Sequence, residues 1–364
     1  MSKVSEYAFI NAKLRARIGE IHSTNLLSDM IKAPTLNEAI SVLKDTRYSS
    51  LVSVYAETGD LQAVELALME CEISTYRDVI SYLKGKEREL ITVLLEKVEM
   101  ENIKNALRLW YSSVIRSHQI TYRSSYISKE VIVHPVDYNA IINSRDYEGV
   151  KAAFSGTIYE PVFASSSLDD IRRDGLFSLE ISLDHLWFKR LFEAIASLNG
   201  EDRSVSEAIY LVDADLKNIL LYIRYSLYHH LSSAQLKAVM IPYGHVYEGI
   251  MRKRLLERPD SLDEMRAVVG RYYPSVMKDL RDIRKYDDDM TSADENAEHI
   301  VLIEQYLAET RKKEFLKILT GRPFNIGIAL SYFFLYKDEN RMIRSIMSAK
   351  FYKWDETRIR EAVL

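Results

Sequence analysis

The sequence predicts an all-α protein, and three observations carry that prediction. Apolar residues recur at helical spacing over long stretches. Helix breakers are scarce, with 12 Gly and 7 Pro in 364 residues. One pattern of helices also returns three times along the chain. The clearest periodic stretch runs from Glu87 to Val114, where Ile91, Leu95, Val98, Ala106 and Leu109 share a face. A second runs from Ile209 to Tyr228, with Ile209, Val212, Leu216, Ile219, Ile223 and Leu227 in step. Phe324–Tyr336 is apolar almost throughout and predicts a buried core helix. Its 13 residues fall short of the ~20 that a bilayer span takes. Only Glu130-Val131-Ile132-Val133-His134 has the composition of a strand, and Pro135 behind it favours an extended linker.

The repeat rests on three markers that keep one order. Asn102-Ile103 and Asn218-Ile219 lie on apolar helix faces, and Asn340 with Met342-Ile343 reads as a third copy, the Asn positions being 116 and 122 residues apart. Leu36-Asn37-Glu38-Ala39 leads to Tyr48, Tyr147-Glu148-Gly149-Val150 to Tyr159, and Leu262-Asp263-Glu264-Met265 to Tyr273. Glu180-Ile181-Ser182-Leu183 pairs with Glu304-Gln305-Tyr306-Leu307 and with Glu72-Ile73-Ser74. The chain therefore divides into three tandem helical domains, residues 1–120, 121–237 and 238–364. Each is expected to hold a short helical hairpin, a long helix opened by the Glu, and a second long helix carrying the Asn. A buried amide without a partner costs about 1–3 kcal/mol, so each Asn is expected to bond a neighbouring helix end or loop.

Composition narrows the function. The net charge is −4 and no basic face is concentrated enough to mark a nucleic-acid binder. Cys71 is the single cysteine, which excludes an intrachain disulfide framework and fits a reducing compartment. Met1-Ser2-Lys3-Val4-Ser5-Glu6 lacks the apolar core of a signal peptide. Any work at a membrane is then expected from the aqueous side. The 24 tyrosines suit helix faces that meet partner proteins, since each joins an apolar body to a polar tip.

Chemistry is hard to find. No Gly-rich phosphate loop and no His-Glu-x-x-His occur. His229-His230 point about 100° apart on a helix and are expected to cap its C-terminal end. Asp287-Asp288-Asp289 misses the Asp-Asp-x-x-Asp spacing of a Mg²⁺–diphosphate site, because Thr291 and Ser292 fall at the fifth positions. Asp294-Glu295-x-x-Glu298 has the spacing but no facing partner, and reads as a solvated helix start. A Mg²⁺-dependent prenyl-transfer or terpenoid enzyme is the rival reading, and a generic helical adaptor is a third. No catalytic, cofactor-binding or metal-binding residue is assigned, and no cofactor is expected.

Several segments together resemble the C subunit of archaeal- and bacterial-type rotary ATPases, known as the d subunit in eukaryotic vacuolar ATPases. They are Tyr7 with Asn11-Ala12-Lys13-Leu14-Arg15-Ala16-Arg17, then Glu180-x-x-Leu183-Asp184 with Trp187-Phe188, Asp215-x-x-Asn218-Ile219, and Ile241-Pro242-Tyr243-Gly244. The block from Phe324 through Arg344 to Arg360-Glu361 is the most specific. The stretches 124–143 and 282–294 match poorly. The resemblance implies a non-catalytic component with a funnel-like fold of three similar helical domains. It implies a socket between the rotor shaft, made of the D and F subunits, and the membrane proteolipid ring. It also implies a place peripheral to the membrane on its cytoplasmic side, turning with the rotor and passing torque between ATP hydrolysis or synthesis and ion transport. Three copies of one unit around an axis would supply such a recess.

Overall fold

In a computed structural model the chain is all-α, with no strand among the described residues, which are 3–23, 25–117, 127–222, 232–257, 262–274, 290–321 and 324–363. Helix α1 (Lys3–Ser23) leads into three short helices, α2 (Leu26–Lys32), α3 (Leu36–Ser41) and α4 (Ser49–Thr58). Two long ones follow, α5 (Leu61–Tyr82) and α6 (Gly85–Trp110). A second short set, α7 (Tyr138–Asn143), α8 (Tyr147–Ala152), α9 (Glu160–Ala164) and α10 (Leu168–Asp174), precedes long α11 (Phe177–Ser197) and α12 (Gly200–Tyr222). A third set, α13 (Ser233–Val239), α14 (His245–Arg252) and α15 (Leu262–Tyr272), precedes long α16 (Met290–Leu319) and α17 (Gly327–Phe351). Helix α18 (Glu356–Val363) follows. Among the described residues each expected hairpin is thus a cluster of three or four short helices.

Local chemistry sets these boundaries. Thr35, Asp60, Asp146 and Ser167 accept backbone N–H bonds at the starts of α3, α5, α8 and α10, and Ser232 with Gln235 forms a full capping box on α13. Glu180 lies in the first turn of α11. Glu72 and Glu304 instead fall inside α5 and α16, because Asp60 starts α5 a dozen residues earlier. Helix α6 ends in a π-helical turn, Tyr111–Ile115, which takes in the expected end at Val114. The expected extended linker around Val131–His134 is instead bent at residues 132–134, where Val136 N–H turns back to the His134 carbonyl at 2.8 Å, and it pairs with no strand among the described residues.

The described chain forms two compact units. One comprises Met1–Leu198 with Ile328–Leu364, the other Asn199–Gly327. Within the first unit the N-terminal short helices have no core of their own. Leu26, Met30, Ile31, Ile40, Leu43 and Leu51 are buried against Ile343, Ile346 and Met347 of α17 and Ile359 of α18. Each such burial contributes about 1.5–3 kcal/mol. Tyr76 of α5 stacks on Phe333 of α17 with ring centroids 4.0 Å apart, and Lys350 Nζ donates to the Ile31 carbonyl at 2.6 Å. The same unit joins α6 to α11. Arg190 clamps Glu96 with two bonds of 2.6 and 2.7 Å, Lys97 and Lys104 both reach Asp184, and the Trp187 indole donates to the Val93 carbonyl.

Candidate functional site

The three repeated tyrosines all do one job. Tyr159 donates its hydroxyl to Glu99 of α6 at 2.7 Å. Tyr273 donates to Asp215 of α12 at 2.9 Å. Tyr48 donates to Glu339 of α17 at 2.6 Å and also lies 2.8 Å from the Asn340 oxygen. Tyr48 and Tyr159 are held by one local device, a threonine two residues earlier. Thr46 and Thr157 each bond back to a carbonyl and accept the tyrosine N–H. Burial first, and the adjacent carboxylate second, push the Tyr48, Tyr159 and Tyr273 phenols well above their ordinary range. They remain hydrogen-bond donors across the pH range in which a protein folds.

Two of the acids also gather backbone donors. Glu99 accepts from the N–H groups of Val133 and His134 at 2.8 and 2.7 Å, and its other oxygen lies 2.8 Å from His134 Nδ1. The strand-like segment of the sequence is therefore a linker whose N–H groups are taken up by a buried acid. Asp215 accepts from Val246 N–H at 2.7 Å. Its pKa is raised by burial, which the Val246 and Tyr273 bonds only partly offset.

Asn102 and Asn218 clip the linker that follows. Asn102 exchanges both amide bonds with the Ser128 backbone. Asn218 does the same with Ile241 and adds the Tyr243 carbonyl. Ile241-Pro242-Tyr243-Gly244 gains a reason here. Gly244 sits at φ +97°, and a Cβ there would collide with the Asp215 carboxylate.

Asn340 is not the third copy of this amide. Register is set by the acid and by an isoleucine one turn on: Glu99 with Ile103, Asp215 with Ile219, Glu339 with Ile343. All three isoleucines are fully buried. The position of Asn102 and Asn218 is then taken in α17 by Met342, which has no amide to clip a linker. Asn340 follows the acid by one residue where the others follow by three, and it bonds a side chain, Tyr48. The acids are not evident from the sequence as a set, although their common offset from a buried isoleucine carries the signal.

The described residues hold little that suits catalysis. No group of three or more His, Cys, Asp or Glu among them is placed to bind a metal ion. Asp287–Asp289 and His229-His230 lie outside the described residues, as do the side chains of Asp294, Glu295 and Glu298 on α16. Cys71 is half-buried at the edge of the α17 core, beside Ser50. The first unit carries a recess of about 430 Å³ whose walls include Glu65, Asn105, Arg108 and Arg344. Burial raises the Glu65 pKa against the pull of Arg344, and Arg108 is committed to Glu180 by two bonds. No described helix is long and apolar enough to cross a membrane.

Fold and nodes define the class first: an all-helical protein built on a recurring packing unit, its buried acids engaged in holding helices to linkers. The chain belongs to the ATP synthase (C/AC39) subunit family, which matches residues 10–362. It is similar to the A-type ATP synthase C subunit of Pyrococcus horikoshii, 22% identical over 344 residues that span 94% of this chain and 86% of that protein. The corresponding C subunit of Pyrococcus furiosus is 21% identical over 361 residues, 99% of this chain and 91% of its own length. That of Methanocaldococcus jannaschii is 20% identical over 362 residues, 99% and 87% respectively.

Proposed function

We propose that this chain is the non-catalytic C subunit in the central stalk of an A/V-type rotary ATPase. In this reading it is a socket between the rotor shaft, made of the D and F subunits, and the membrane proteolipid ring, held peripherally on the cytoplasmic side. The observation that carries the reading is the family match across residues 10–362. Two structural features support it. A cluster of short helices followed by two long ones occurs three times in the element order. A tyrosine–carboxylate node also occurs three times, the third joining Tyr48 to Glu339, residues 291 apart. We take residues 1–120, 121–237 and 238–364 as the three sequence repeats. We also take the funnel as their arrangement about an axis, which would let one chain wall a shaft on all sides. A torque coupler has to be stiff within, and long helices bonded to their linkers by buried amides and acids meet that demand.

Affinity purification of the tagged chain from its native membranes tests the reading. Co-purification with the D and F shaft proteins and the proteolipid is expected; recovery without them overturns it. Substitutions that line the proposed socket are expected to uncouple ion transport from hydrolysis while the detached catalytic head hydrolyses ATP at its normal rate. Loss of hydrolysis in that head would count against the assignment.

A further inference from the structure

The two modules that share the Asn clip differ in the groove where α6 meets α11 and where α12 meets α16. Glu99, Asn102 and Ile103 fix the register of α6 against Asp215, Asn218 and Ile219 of α12. Glu180 and buried Leu183 fix α11 against Glu304 and buried Leu307 of α16. In the first pair the groove between the helices is filled from within. Lys97 and Lys104 close on Asp184 at 2.6 and 2.9 Å, and the Trp187 ring lies under Lys97, 5.0 Å from its ammonium.

In the second pair every filling residue is exchanged. Leu220 stands in register with Lys104, Ala308 with Asp184, and Arg311 with Trp187. Asp213, in register with Lys97, holds the Arg311 guanidinium at 2.8 Å. The result is a cleft of about 410 Å³ in the second unit, lined by Leu216, Leu220, Leu221, Leu307 and the exposed Ala308, with the charged Asp213, Lys217, Glu304 and Arg311 also in its walls. The Trp187 ring that lies under Lys97 in one module has no counterpart in the other, where the Arg311 guanidinium, paired with Asp213, stands in its place. A guanidinium held at the edge of an apolar slot is electrostatically complementary to the face of an aromatic ring, and aromatic anchors filling apolar pockets dominate protein interfaces.

We propose that this cleft receives an aromatic side chain, indole above all, from a helix of a partner protein, seated on the leucines and stacked on Arg311. The proposal does not depend on which complex the chain serves. Two measurements on the full chain test it. Indole is titrated into protein with labelled leucine methyls; saturable shifts confined to Leu216, Leu220, Leu221 and Leu307 are expected, weakened at least tenfold in Ala308→Trp, which fills the cleft. Absence of saturable shifts, or equal shifts in the variant, overturns the proposal. The second measurement is retention of the chain on native membranes stripped of it. Ala308→Trp is expected to lower retention at least tenfold, with an unchanged or raised Tm. A raised Tm with full retention would make the cleft an internal packing void and overturn the proposal. A dimer of the purified chain that Ala308→Trp dissolves would make a second copy the occupant, which also overturns it. Leu220→Lys with Ala308→Asp, which restores the polar filling of the other module at a solvent-open site, carries the same expectations if Ala308→Trp does not fold. If the unaltered chain itself is not retained, the place in a rotary ATPase falls, and the indole titration still decides the cleft.

Discussion

Replacing Asn218 by leucine removes the amide and leaves its partners where they are. Ile241 N–H loses an acceptor at 2.8 Å, and the Ile241 and Tyr243 carbonyls lose donors at 2.9 and 3.1 Å. Ile241 is 1% exposed and Asn218 is fully buried, so water cannot replace the lost bonds around Ile241. The stranded Ile241 N–H costs about 1–3 kcal/mol, while the Ile241 carbonyl keeps the Tyr243 N–H at 2.8 Å, so it and the partly buried Tyr243 carbonyl lose one bond each and add about 0.5–1.5 kcal/mol together. The leucine side chain returns roughly 1 kcal/mol through added apolar burial. The net loss is about 1–4 kcal/mol, a sizeable share of a typical stability of roughly 5–15 kcal/mol. Asn340→Leu is the control. Tyr48 keeps Glu339 at 2.6 Å and no backbone group is stranded, so the cost is about 1 kcal/mol or less. All three tryptophans, Trp110, Trp187 and Trp354, lie in the first unit. The second unit is therefore followed by far-UV circular dichroism in urea and by hydrogen exchange at the Ile241 and Val246 amides. Equal losses for the two variants, or a loss below about 1 kcal/mol for Asn218→Leu, would refute the assignment of different roles to the two amides.

Three further outcomes are expected. Gly244→Ala combines a left-handed backbone with a collision against Asp215 and should cost about 3 kcal/mol, measured by urea unfolding. Arg190→Ala leaves Glu96, 1% exposed, buried without its guanidinium, and should cost about 3–5 kcal/mol in the first unit, where tryptophan fluorescence reports it. Asp215 has a raised pKa in the folded protein. Its contribution to stability is therefore full below the ordinary carboxylate range and is lost as pH rises through the folded value. Asp215→Asn, which keeps a partner for Val246 N–H and for Tyr273, should flatten that fall in a pH series of urea midpoints; parallel curves would contradict it.

The tyrosine marker was legible because a buried phenol needs a fixed acceptor, and its spacing survives where neighbouring residues drift. Its acceptor was not legible, since Glu99 precedes Tyr159 by 60 residues and Glu339 follows Tyr48 by 291. Asn340 misled for a chemical reason: the asparagine is the same residue type as in the other helices, but the phase of α17 is fixed by Glu339 and Ile343. The clip belongs to two helices, and the third offers Met342. The α6 and α12 faces were legible from apolar periodicity. The start of α5 was not, because Asp60 caps it well upstream of the Glu72 marker. Asp184 and Trp187 were visible as a resemblance, and only the packing of α11 on α6 gave them a role.

Electron cryo-microscopy of the intact complex, isolated from the native membrane with this chain tagged, tests the central claim most directly. The account predicts density for this chain between the D–F shaft and the proteolipid ring, with its three repeats surrounding the shaft end. Density for the chain on a peripheral stalk or in the catalytic head, or its absence from the rotor, would contradict it.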